Sequence, residues 1–128
     1  MLEKISPETI EAIFDALPVD ITFVDKDDTV RYYSRHNDHI FRRTPAIIGL
    51  KVQNCHPKQS LDKVNEVVAD LKSGKRQVAE FWIDLKGQKV YIRYFPVRDK
   101  AGNYLGIVEV SQDITQIQQI KGQKRLLD

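Results

Sequence analysis

The sequence predicts an α+β domain, an antiparallel sheet covered on one face by helices. Three observations carry this. An amphipathic helical stretch opens the chain, a second and longer one lies near its middle, and β-branched and aromatic runs stand two before that longer helix and three after it. Helices and strands segregated in this way favour an antiparallel sheet over alternating parallel units.

The opening stretch, "ISPETIEAIFDALP", places Ile10, Ile13, Phe14 and Leu17 on one stripe. Ser6 suits the N-cap, Pro7 the first helical position and Glu8 the positive end of the dipole, while Pro18 stops the run. So short a helix is marginal alone in water, so its stripe must bury against the core or a partner. Residues 1–18 form this helix, 19–115 the core and 116–128 an exit segment.

In "DITFVDKDDTVRYYSR", Ile21 to Val24 and Val30 to Ser34 flank the polar turn Asp25 to Asp28, which predicts a hairpin. A calcium loop would need a regular oxygen-ligand spacing that is missing. Tyr32 and Tyr33 point to opposite faces, so at most one lines a pocket. Periodicity then dissolves. Thr44 and Pro45 open a brief helix that Gly49 ends. "KQSLDKVNEVVADLKSG" restores it, with Leu61, Val64, Val67, Val68 and Leu71 buried, Ser60 as cap and Gly74 as stop. "QVAEFWIDL", "KVYIRYFPV" and "YLGIVEVSQDI" are strands separated by turn-rich "KGQ" and "RDKAGN", with Pro96 at an edge, bulge or strand end. Ile114, Ile117, Ile120, Leu126 and Leu127 then make a partly helical pattern, which Gly122 interrupts.

Composition bounds the function. A chain of 128 residues, 41% hydrophobic and 30% charged, fits one soluble domain rather than a disordered segment. A net charge of +2 gives no electrostatic case for nucleic acid or membrane. One cysteine cannot form an internal disulfide, no apolar run is long enough to span a bilayer, and the start lacks a secretory signal. A cytoplasmic location is expected, and the chain could be a module of something longer.

The element order and several phrases resemble a PAS domain: "ITFVDKDDTVRYYS", the G-x-x-x-x-x-x-H-P stretch from Gly49 to Pro57, "KAGNYLGIVEV" and the closing "DIT" at Asp113 to Thr115. "LPVDITFVD", "IIGLKVQNCHP", "AEFWI" and "RLLD" resemble more closely the C-terminal PAS module of bacterial and archaeal proteins that also carry a hemerythrin-like domain. After "NCHP" the chain departs from that subgroup, with Lys58 and Gln59 where a further proline and a lysine are usual. The resemblance implies a five-stranded antiparallel sheet with helices on one face, a small pocket, and a sensory or regulatory role without catalysis. It also implies a linked effector or hemerythrin-like domain, with Asp113 and Thr115 pinning the last strand to the exit.

Candidate site residues remain to be weighed. Cys55 and His56 are neighbours in an extended loop and point apart, which makes them poor catalytic partners; a small cysteine-dependent redox enzyme is the least supported class. His36, His39, Cys55 and His56 supply soft or borderline ligands without metal-site spacing. Heme ligation by a histidine or a small organic ligand is possible, and neither is required. The simpler expectation makes His56-Pro57 a helix-entry turn and Cys55 a small buried hydrophobe. Glu80 and Trp82, with Arg93 and Glu109, sit on the late strands. Facing inward, Arg93 with Glu80 or Glu109 would form a polar patch in the pocket; facing outward, they are surface pairs. Two functions follow: a sensor whose ligand enters beside residues 36 to 56, or a ligand-free module that forms a homodimer through Ile10, Ile13, Phe14 and Leu17.

Overall fold

The computed structural model describes residues 1–35 and 40–128. Helix α1, Pro7–Ala16, begins where Ser6 Oγ accepts the backbone N–H of Thr9 at 3.1 Å, as its sequence requires. Strands β1 (Asp20–Asp25) and β2 (Val30–Tyr33) form the first hairpin. Short 3-10 turns at Pro45–Ile47, Val52–Cys55 and Lys58–Ser60 lead into helix α2, Leu61–Ser73. Strands β3 (Ala79–Leu85), β4 (Gln88–Arg98) and β5 (Tyr104–Asp113) complete a five-stranded antiparallel sheet in the order β2-β1-β5-β4-β3.

The register decides which residues face inward. Thr22 pairs with Glu109, Val24 with Ile107, Ile92 with Ser111 and Tyr94 with Glu109, and paired residues share a face. Val24, Val30, Val90, Ile92 and Ile107 are therefore buried together, with Leu71 of α2 fully enclosed. Burying such a leucine contributes about 2 kcal/mol. The inner face is polar at its centre, where Asp20, Thr22 and Ser111 are also buried. On the opposite face, Tyr32 pairs with Phe23, and the ring of Phe14 reaches it from α1 at 5.9 Å.

Side chains close the ends of these elements. The carboxylate of Asp25 accepts the N–H groups of Asp27 and Thr29 at 2.9 and 3.0 Å and the Nε–H of Arg31 at 2.7 Å, which makes the acidic turn a hairpin turn. Its pKa is lowered first by the Arg31 hydrogen bond. Ser34 lies beyond β2 yet still closes the pair, its Oγ accepting Ile21 N–H at 2.9 Å and its own N–H donating to Ile21 O at 2.8 Å. Arg98 Nη2 donates to the carbonyls of Leu71 and Lys72, tying the end of β4 to the last turn of α2.

One expectation needs correction. Ser60 makes no side-chain cap; its backbone is already helical because the 3-10 turn Lys58–Ser60 runs straight into α2. The exit segment carries little helix, in keeping with the interruption of its apolar pattern at Gly122. It holds one 3-10 turn, Ile117–Gln119, after which Ile120 is extended and Gly122 turns to φ 64°.

Gly106 of β5 pairs with Asp25 at the end of β1 and packs tightly against that strand. At its φ of 147°, a Cβ would stand 2.1 Å from the Val24 carbonyl oxygen and 2.9 Å from the Phe23 ring. Gly106→Ala is expected to cost about 3 kcal/mol or more through strain and overpacking. Gly87→Ala, at a turn with φ 79° and open space around it, should cost about 1 kcal/mol. Urea denaturation of both variants measures the difference; equal losses would remove the close approach as its cause.

Candidate functional site

A cavity of about 300 Å³ lies between the inner face and residues 41–56. Thr22 and Val24 of β1, Val30 of β2 and Glu109 of β5 form its floor. Phe41, Arg43, Ile47, Val52, Cys55 and His56 form the other wall. Backbone pairing holds that wall against the first hairpin. Val30 N–H donates to Leu50 O at 2.9 Å, Gly49 N–H to Val30 O at 2.8 Å and Val52 N–H to Asp28 O at 2.8 Å. The buried carboxylate of Asp20 accepts the N–H groups of Ile40 and Phe41 at 2.8 and 3.3 Å. A segment without hydrophobic periodicity is thereby placed by hydrogen bonds.

Arg43 is the central polar residue. Its Nε–H donates to Thr22 Oγ1 at 3.1 Å and its Nη2 to Glu109 Oε1 at 3.4 Å, with the guanidinium 5.7 Å from the Phe41 ring centre. The Arg43 and Glu109 side chains are only 13% and 20% exposed, so this is a largely desolvated ion pair. Burial pushes the Glu109 pKa up; Arg43 and a hydrogen bond from Ser111 oppose the rise in part. The neighbouring Tyr94 is raised too, first by burial and then by Glu109.

His56 Nδ1 lies 2.9 Å from the Val52 carbonyl oxygen. A carbonyl only accepts, so Nδ1 carries the proton and a neutral ring leaves Nε2 as an acceptor. His56 thus fastens the turn before Pro57 and lines the cavity at once. Cys55 is exposed, not buried as its size suggests, because it ends the 3-10 turn at the cavity wall. Its pKa is raised by burial of the sulfur despite Arg43 nearby, which favours thiol over thiolate.

The remaining candidates lie elsewhere. Glu80 and Trp82 line a second hollow of about 310 Å³, with Lys89, Tyr91, Ile114 and Gln118. Glu80 accepts a short hydrogen bond from Tyr91 and pairs across the strands with Arg93. Arg93 sits between the rings of Tyr91 and Phe95, at 4.7 and 5.7 Å. By register these residues face away from Glu109, so no patch joins Arg93 to it. His36 and His39 lie outside the described residues. Among the described residues, no group of three or more His, Cys, Asp or Glu is placed to hold a metal ion.

Asp113 and Thr115 form a latch at the end of β5. Thr115 N–H and Oγ1–H both donate to Asp113 Oδ1, at 2.9 and 2.6 Å, and Lys89 N–H donates to Thr115 Oγ1 at 2.8 Å. These bonds lower the Asp113 pKa. Ile114 N–H also donates to Lys89 O at 2.8 Å, so the exit is fastened to the start of β4.

Sequence reasoning missed Arg43 and Thr22. Arg43 stands in a stretch with no pattern to read. Thr22, like Glu109, is a polar residue at an inward strand position, which only the pairing of β1 with β5 identifies.

A family model described as "PAS domain" matches residues 10–115. The chain is 38% identical to the C-terminal domain of a Streptococcus mutans protein, over 91% of each chain, with a TM-score of 0.86. It also resembles the PAS domain of Bordetella pertussis BvgS, at 21% identity over 88% of each chain and a TM-score of 0.64. A sensory box sensor histidine kinase of Vibrio cholerae matches at 11% identity, over 83% of this chain and 90% of that one, with a TM-score of 0.58. These last two show the fold alone. No curated protein matches the chain.

The raised pKa of Glu109 has a defined consequence for stability. An acid whose folded pKa exceeds its unfolded value of about 4.3 binds its proton more tightly when folded. Its contribution is full below that value and is lost as pH rises through the folded pKa. The melting temperature of the wild type should therefore fall relative to Glu109→Gln as pH rises from about 4 into the weakly acidic range. Parallel melting curves across that range would assign the pH dependence to other groups.

Proposed function

Because the chain belongs to the PAS domain family, we propose that it is a non-catalytic sensory or regulatory module, binding a small ligand in the inner cavity and passing the change to a linked domain through β5 and its exit. The observation that carries this reading is a cavity with apolar walls and one convergent polar end, Arg43, Thr22, Glu109 and His56. A volume of about 300 Å³ is at the lower limit for ligand pockets and favours a small organic ligand over heme. A cysteine kept as thiol favours a site without nucleophilic chemistry. No helix among the described residues is long and apolar enough to cross a membrane.

The proposed output runs along β5. Glu109 faces the cavity and Asp113 ends the same strand, so a ligand that moves Arg43 acts on the strand whose end holds the latch. A ligand shifts such an equilibrium only by binding its two states differently.

A second reading rests on α1. Ile13, Phe14 and Leu17 remain 46%, 39% and 41% exposed, an incompletely covered apolar stripe that suits a homodimer. The two readings are compatible, and each has its own test.

Native mass spectrometry of the freshly purified chain, followed by amide spectra with small-molecule libraries, tests the ligand. Bound mass or shifts confined to the cavity residues support it; a bare chain unmoved by any compound counts against it. Thr115→Val should cost about 1 kcal/mol for its lost hydrogen bonds and leave the core folded. It should also abolish ligand-dependent amide exchange at Ile114, and unchanged coupling would sink the proposed output path. Phe14→Glu should turn a dimer into a monomer in sedimentation; a monomeric wild type removes the second reading.

A further inference from the structure

We infer that the inner cavity takes a small monocarboxylic acid with a short apolar body, its carboxylate gripped by Arg43 in place of Glu109. This rests on the reading of that cavity as a ligand site and adds the class of ligand. Two observations carry it.

The first is the unused bonding capacity of Arg43. A guanidinium has five N–H donors in a planar fork suited to a carboxylate. Here Nε–H is taken by Thr22, and Nη2 reaches Glu109 at 3.4 Å, long for a charge-assisted bond, which is typically about 2.8 Å. No bond from Nη1 is made among the described residues. Thr22 and the Phe41 ring hold the fork in position, so a ligand meets a cation already oriented.

The second is the distribution of charge and apolar surface. Arg42 and Arg43 line the cavity against the single carboxyl of Glu109, so the charge of the lining favours an anion. Val24, Val30, Ile47 and Val52 offer the rest of a ligand an apolar wall. The volume equals that of about ten waters at roughly 30 Å³ each, room for a body of comparable atom count.

The exchange has a proton balance. Glu109 is faced by Arg43, by Asp20 and Thr22 of β1, by Tyr94 of β4, by Ser111 of its own strand and by His56. Once the ligand carboxylate occupies the guanidinium, two carboxyls share one cation in a poorly hydrated space and retain one proton between them. Glu109 binds that proton from solvent, keeps its Ser111 contact and donates to the ligand. Binding is therefore tighter at lower pH, as long as the ligand enters as its anion.

Calorimetry of the full chain with hexanoate and with hexanamide tests this, in two buffers of different ionisation enthalpy near neutral pH. Hexanoate should bind at least about tenfold more tightly than hexanamide, with uptake approaching one proton. Arg43→Gln should erase the preference for the acid. Glu109→Gln, which keeps a donor in place, should bind hexanoate without proton uptake. Equal or tighter binding of hexanamide would overturn the ligand class while leaving the cavity a ligand site. Hexanoate binding with no proton uptake by the wild type would overturn the exchange. If neither compound binds or moves the amide signals of Val24 and Phe41 at millimolar concentration, the ligand class is overturned, and the cavity as a ligand site is decided by the compound-library spectra.

Discussion

The pairing of β1 with β5 is the contact on which the rest of the structure depends. It joins the first strand to the last, sets Thr22 opposite Glu109, and makes the floor of the cavity from two distant parts of the sequence. Gly106 makes the close approach possible, because any side chain there would meet the Val24 carbonyl. Everything that touches Arg43 from below is placed by this register. A slip of one residue would turn Thr22 and Glu109 to the other face and the cavity would lose its polar end.

Polar groups at the centre of a sheet are costly, and here they are paired rather than absent. Asp20 anchors the backbone of Ile40 and Phe41, Ser111 donates to Glu109, and Arg43 bridges β1 to β5. A buried ion pair is weak evidence of stability, since desolvation offsets most of the attraction. An apolar set of equal volume would serve the fold at least as well. The outer face is arranged differently: Arg93 lies between Tyr91 and Phe95, opposite Glu80, as a cross-strand surface cluster.

Much of the fold was legible because its elements bury one face at a regular period. Leu61, Val64, Val67, Val68 and Leu71 repeat as a helix does, and Leu71 is fully enclosed. The strands read from their β-branched and aromatic runs, and the acidic turn from its flanks. The site was less legible. Alternation says which strand residues share a face, yet it does not say which face is inner, and Glu80, Arg93 and Glu109 could not be sorted before the register was known. Arg43 gave no signal because hydrogen bonds to Asp20 and Thr22, rather than a repeat, place its segment. At the exit the apolar spacing of Ile114, Ile117 and Ile120 is cut short by extended backbone at Ile120 and by Gly122 at positive φ, so the break outweighs the spacing.

The strand order also governs how the chain must assemble. With β5 between β1 and β4, the first hairpin has no neighbour on one side until the last strand arrives. During synthesis, β5 leaves the ribosome after every element it joins. The unpaired edge of β1, with its free backbone N–H and C=O groups, waits through the making of α2, β3 and β4, and the loop to be closed on arrival is nearly the whole domain. Contacts of such separation fold slowly and leave an unpaired edge exposed meanwhile. The strand that completes the sheet is thus also the one that covers this edge, and the latch at Asp113 and Thr115 sits at its far end.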